Sequence, residues 1–188
     1  IQLHIFQAMN CTFVQNYGSG IHTLNINYTM IFNLVFIKNN KAILLRATKK
    51  TLICNSIIKY GQDSSGAAFM AFKCKQVFNL MNIFLKNTVS GRGGAFSIES
   101  VDYVKSEKCI FIYNSAKSTG GSIFLRHVKL LVITHSIFHN SDASLEGGCI
   151  HGIYVDYVKS INNTYRQNKA GYGGGFKLDN IKSLICMT

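Results

Sequence analysis

The residues able to do chemistry in this 188-residue chain are few and scattered. Eight carboxylates are present: Asp63, Asp102, Asp142, Asp156, Asp179, Glu99, Glu107 and Glu146. Acid–base work on a sugar, or calcium binding, needs carboxylates gathered on one exposed face. Asp102 and Asp156 come nearest, because each is second in an identical hexapeptide, VDYVKS, at 101–106 and 155–160. His4, His22, His127, His135, His139 and His151 offer imidazole nitrogens. His135 and His139 are four apart, a spacing that pairs side chains on a helix but not on a strand. The six cysteines are Cys11, Cys54, Cys74, Cys109, Cys149 and Cys186, with no CxxC pair to indicate zinc or redox chemistry. They read as small buried hydrophobes, with one or two disulfides left open. Walker, dinucleotide and nucleophile-elbow motifs are absent. No catalytic, cofactor-binding or metal-binding residue is therefore assigned, and no cofactor is expected. Three sequons mark Asn10, Asn27 and Asn162 as candidate glycosylation sites, as in a glycoprotein on a secretory route.

The elements that would position such residues are set by a repeat. An apolar or aromatic anchor followed three positions later by Asn recurs as Phe13/Asn16, Phe36/Asn39, Phe84/Asn87, Phe111/Asn114, Ile137/Asn140 and Tyr165/Asn168. Ile57/Tyr60 fills the gap, so seven anchors follow one another at nearly regular intervals from Phe13 to Tyr165. A small-residue turn and an apolar residue follow each anchor, as in Gly93-Gly94-Ala95-Phe96, Gly120-Gly121-Ser122-Ile123, Gly147-Gly148-Cys149-Ile150 and Gly173-Gly174-Gly175-Phe176. Earlier turns are looser: Gly66-Ala67-Ala68-Phe69, Gly18-Ser19-Gly20-Ile21, and Lys41-Ala42-Ile43 without glycine. A third apolar segment, which includes both VDYVKS copies, closes each unit.

Three short β-rich segments in a period of roughly 21–28 residues suit one turn of a three-sheet solenoid. Absent proline agrees, since nearly every strand of a solenoid is central and proline cannot donate to the ladder. The fold class expected is all-β, a right-handed parallel β-helix of about seven coils forming one domain over 1–188. Two interior columns follow: Phe13, Phe36, Ile57, Phe84, Phe111, Ile137, Tyr165, and Ile21, Ile43, Phe69, Phe96, Ile123, Ile150, Phe176. Asn16, Asn39, Asn87, Asn114, Asn140 and Asn168 are expected to form a turn ladder, with Asn also taking the left-handed bend of the corner. His135 shares a mixed column with Cys11, Leu34, Asn55, Asn82, Cys109 and Asn163. Ile181–Thr188 reads as the start of an eighth coil, as in a fragment of a longer repeat protein.

The FxxN and Gly-Gly-small-Ile/Phe motifs resemble the polymorphic outer-membrane-protein repeat, within the pectin-lyase-like β-helix superfamily. The later five copies carry the resemblance well and the first two poorly. It implies a secreted or cell-surface repeat segment with an adhesive or structural role, meeting glycans or cell-surface partners. The alternative it implies is a carbohydrate-active, lyase- or hydrolase-like protein acting on or binding acidic polysaccharide. The net charge of +12 suits an anionic partner, but the basic residues are dispersed and no specific nucleic-acid motif is present. No apolar run is long enough to span a bilayer. Without clustered carboxylates, a binding role is expected over an enzymatic one.

Overall fold

The structure is a computed structural model and describes residues 4–63 and 67–188; Gly66 of the looser turn lies outside them. Every strand pairing is parallel, and the chain winds as a right-handed β-solenoid of about seven turns. The first face is a seven-stranded sheet of three-residue strands, from Thr12–Val14 through Ile83–Leu85 to Thr164–Arg166. The second and third faces begin as separate strands, such as Lys41–Arg46 and Lys50–Cys54. In the later coils they fuse into twelve-residue strands, Phe96–Glu107, Ile123–Thr134 and Ile150–Ile161. A four-stranded ribbon, from Gln62–Asp63 to Asp142–Ala143, lines the turn after the first face. No described helix is long and apolar enough to cross a membrane.

The corners explain how a chain without proline turns so often. Among the described residues, twenty-one non-glycine residues have positive φ. They form three columns of seven, one at each corner: the Asn10 column, the Gln15 column and the Asn25 column. Asparagine fills seven of those positions, as expected for the residue that best tolerates left-handed backbone. Ser100, His127 and Tyr154, at φ 56°, 53° and 55°, bend the long strands from the second face to the third. The turn with paired glycines is different. Its first glycine has φ near 60–70°, while a Cβ on the second, at Gly94 or Gly121, would lie 2.2 Å from a carbonyl oxygen of the next coil. The pair therefore provides one left-handed residue and one site of close coil-to-coil approach.

The interior is stacked in register. The second column is as expected, from Ile21 on Ile43 through Phe69, Phe96, Ile123 and Ile150 to Phe176. The first column differs in two coils: Ile58 and Phe138 are buried, not Ile57 and Ile137, and Ile137 is 42% exposed. In both coils two adjacent apolar residues compete for the inward position, and strand alternation lets only one point in. With Ile58 and Phe138 in place, the three steps from Phe84 through Phe111 and Phe138 to Tyr165 are equal. Each matches the step from Asn87 to Asn114 at the neighbouring corner. The rings of Phe84, Phe111, Phe138 and Tyr165 stack at 4.8, 4.5 and 5.0 Å, and Phe69 on Phe96 at 4.2 Å.

The same one-residue shift corrects two further expectations. Ser141, not Asn140, stands in the asparagine column, and Asn140 is the left-handed residue before it at φ 52°. Ser136, not His135, stands in the column of Cys109 and Asn163, as Ser56 rather than Asn55 does below. Within the column, Asn114 Nδ2 donates to Phe84 O at 2.9 Å while its Oδ1 accepts from Asn87 N and Nδ2 at 3.1 and 3.0 Å. Asn16, Asn39 and Asn168 are placed in the same way. The left-handed bend itself is carried by the preceding residue, such as Gln15, Lys38 or Lys86. At the other end of the repeat, Ser183–Met187 closes the seventh coil on the third face, and the additional strand is Ile5–Met9 at the first coil. Ile181–Thr188 is thus a closing segment rather than the start of an eighth coil.

Candidate functional site: the outer third face and a corner cluster

Outward positions of the third face form columns along the solenoid axis, because parallel strands in register place equivalent side chains above one another. One column reads Lys49, Lys75, Asp102, Lys129, Asp156 and Lys182. Asp102 and Asp156 are therefore separated by Lys129, while Val128 points inward at 1% exposure. Lys129 Nζ lies 2.8 Å from Asp102 Oδ1, and Lys182 Nζ lies 3.1 Å from Asp156 Oδ1. The Asp102 hydrogen bond, then the fields of Asp102 and Asp156, hold the Lys129 ammonium above its ordinary value. Both aspartates are thus paired with a lysine of the neighbouring coil.

The adjacent outward columns are aromatic, aliphatic and basic. Tyr28, Lys50, Gln76, Tyr103, Leu130 and Tyr157 share one, and Met30, Leu52, Phe78, Lys105, Val132 and Lys159 share the next. Lys50 Nζ sits 5.3 Å over the Phe78 ring, and Phe78 meets Tyr103 at 5.6 Å. Lys182 lies 5.9 Å over Tyr157, which is 49% exposed. Lys105 is bound to Glu107 at 2.6 Å, and that hydrogen bond holds the Glu107 carboxyl below its usual range. Among the described residues, no carboxylate lies in ion-pair reach of Lys49, Lys75 or Lys159. The face thus carries exposed aromatic and aliphatic side chains with a positive balance of charge.

A second feature stands at the glycine corner of the last coils. His151 follows Ile150 and projects to the outside of the second face, where the preceding turn folds over it. Its side chain is 2% exposed. Nε2 lies 3.4 Å from Glu146 Oε2 and 3.3 Å from Asp179 Oδ2. Nδ1 is buried and has no hydrogen-bond partner. The edge of the Phe124 ring, in register one coil below, packs on the imidazole at 5.7 Å. Lys177, in register one coil above, pairs with the other oxygen of Asp179. That hydrogen bond, and then the one from His151, hold the Asp179 carboxyl below its usual range. Among the described residues this is the one trio of His, Cys or acidic side chains whose ligand atoms lie within 4.8 Å of one another.

In the sequence the three residues stand apart, with no motif that joins them. Glu146 precedes the glycine pair, Asp179 follows Phe176 one coil later, and only the stacking of successive coils makes them neighbours. The signal available was the column register, which puts His151 beside Lys177. His135 and His139 stay apart in function: His135 is exposed at its corner and meets Asn162, and His139 meets Asn140.

Of the sequon residues, Asn10 and Asn162 lie exposed at equivalent left-handed corners, and Asn27 is half-buried. Cys54, Cys74, Cys109 and Cys149 are buried free thiols, and Cys11 and Cys186 are exposed. No protein-family profile matches the chain, and no curated protein matches it at a significant level.

Proposed function

We propose that this chain is a non-enzymatic binding segment of an extracellular or cell-surface protein, which adheres through the outer third face to acidic polysaccharide. The observation that carries the reading is the placement, on one sheet, of the exposed aromatic rings of Tyr28, Tyr103 and Tyr157 beside lysines of the neighbouring columns. Sugar rings present apolar C–H faces that suit exposed tyrosines, and uronate or sulfate groups suit the lysine ammonium groups. Lys49, Lys75 and Lys159 supply charge that, among the described residues, no carboxylate meets within ion-pair distance. The FxxN and Gly-Gly-small-Ile/Phe motifs, similar to the polymorphic outer-membrane-protein repeat of the pectin-lyase-like superfamily, agree with such a role. Asp102 and Asp156 are engaged by lysines, which favours binding over hydrolysis or lysis at that face.

The test is calorimetric titration with polygalacturonate, with a neutral glucan as control. Binding of the acidic polymer should weaken as salt is raised, because surface charge is screened. Lys49→Gln with Lys75→Gln and Lys159→Gln should weaken it at least tenfold, and Tyr157→Ala severalfold. Equal affinity for the neutral polymer would reject the reading. Depolymerisation of the substrate would replace it by the enzymatic alternative.

A further inference from the structure

We infer that Glu146, His151 and Asp179 form a binding site for a divalent transition-metal ion of the Zn2+ class, at the glycine corner between the sixth and seventh coils. Three observations meet there. The first is the donor set: one imidazole nitrogen and two carboxylate oxygens from different segments, brought within 4.8 Å of one another. Imidazole favours zinc and its neighbours over calcium or magnesium, which prefer oxygen alone.

The second is spacing. Zinc bonds to nitrogen and oxygen are about 2.0–2.1 Å, so the edge of a tetrahedral site is roughly 3.3–3.4 Å. The two edges that meet at His151 Nε2, to Glu146 Oε2 and Asp179 Oδ2, are 3.4 and 3.3 Å. The third edge, from Glu146 to Asp179, is within 4.8 Å. Three protein ligands leave the fourth position to water, as in open zinc sites.

The third is the burial of the histidine. His151 is 2% exposed, its Nδ1 is buried without a partner, and its Nε2 is aimed between the two carboxylates. Phe124 packs on its ring and restricts it to that direction. A buried imidazole held this way serves an ion at Nε2 with little loss of side-chain freedom. Ligating histidines usually give their second N–H to an acceptor, and its absence here costs about 10–100-fold in affinity, so binding in the micromolar range is expected.

Two cations frame the site. Lys177 Nζ holds Asp179 Oδ1 and also senses the field of Glu146, and the Arg92 guanidinium lies 5.1 Å over Phe124. Lys177 thus occupies part of the space of positive potential that a metal ion would fill. Its removal should favour the metal, whereas removal of a cation from a purely structural ion-pair network would not create affinity for zinc.

The experiment is Zn2+ titration of the full chain by calorimetry after chelator treatment, with Cys11→Ser and Cys186→Ser to remove the exposed thiols. One site of micromolar affinity per chain is expected. Glu146→Gln and Asp179→Asn should each weaken it at least tenfold, and Lys177→Gln should tighten it severalfold. Co2+ in place of Zn2+ should show the intense visible absorption of tetrahedral coordination, lost in Glu146→Gln with Asp179→Asn. Both carboxylates are partly exposed, so these variants keep the fold, which circular dichroism verifies. Absence of binding at millimolar Zn2+, or affinity unchanged in the double variant, would overturn the site. Tighter binding of Ca2+ than of Zn2+ would overturn the assigned class.

Discussion

Cys109 shows how a single side chain reports on the interior. It is fully buried, and its Sγ meets Asn79 O at 3.2 Å and Glu107 O at 3.3 Å. Burial pushes its thiol up to about 11, from an ordinary value of 9.0. In the unfolded chain the thiol ionises from about pH 9, whereas in the fold it stays protonated until about 11. The folded pKa is the raised one, so its contribution is fully present below the unfolded pKa and is lost as pH rises through the window. Denaturant midpoints should fall between pH 9 and 11, by at most about 1.4 kcal/mol per pH unit from this thiol. Cys109→Ser should flatten that part of the profile; an unchanged slope would show the thiol to be accessible to solvent. Cys149, which burial also raises well above its ordinary value, adds in the same direction.

At the scale of the element, the corner is a division of labour between adjacent residues. One residue takes the left-handed backbone, and the next sends its side chain inward to cap the coil edges. Asn114, fully buried, accepts from the backbone N–H and the side-chain amide of Asn87 and donates to Phe84 O, so Asn114→Ala leaves the buried Asn87 N–H without a partner and removes two further buried hydrogen bonds. A loss of about 3 kcal/mol is expected, from roughly 1–3 for each unsatisfied group. Asn140 occupies the left-handed position and its Nδ2 meets only the His139 ring. Asn140→Ala should cost less than about 1 kcal/mol, since it removes a left-handed preference and no buried bridge. Chemical denaturation of the two variants separates the roles. Equal losses would mean that the ladder extends to Asn140 after all.

The whole molecule is quasi-one-dimensional, with each coil bonded to its neighbours alone. The equal step of the later coils makes them exchangeable in register. Deletion of 85–111 joins Phe84 to Ile112, which stands where Leu85 stood, and every column is kept. Deletion of 86–111 removes one residue fewer and offsets the following strands by one, turning their buried side chains outward. The first variant should give a soluble β-solenoid with a cooperative melt, and the second should aggregate or fail to melt cooperatively. If both behave alike, the columns are not what holds the stack together. The long third face has a second consequence at this scale, because an anionic polymer lying along the axis would reach lysines on several successive coils, and affinity should grow with polymer length.

Composition, period and motif sufficed to read the β-solenoid from the residues themselves. Glycine pairs, anchors and β-rich segments recur at intervals that only a stacked coil satisfies, and the second interior column, from Ile21 to Phe176, is placed correctly by position alone. Where two apolar residues adjoin, as at Ile57-Ile58 and Ile137-Phe138, pattern does not say which faces in, since either choice leaves a plausible strand. Pairing with the coils on both sides decides it, and with it the places of Asn140, Ser141 and His135. The neighbours of His151 were likewise decided by tertiary structure. Glu146 reaches it from the turn just before it and Asp179 from the coil above, and no local motif encodes a contact made by the pitch of the solenoid.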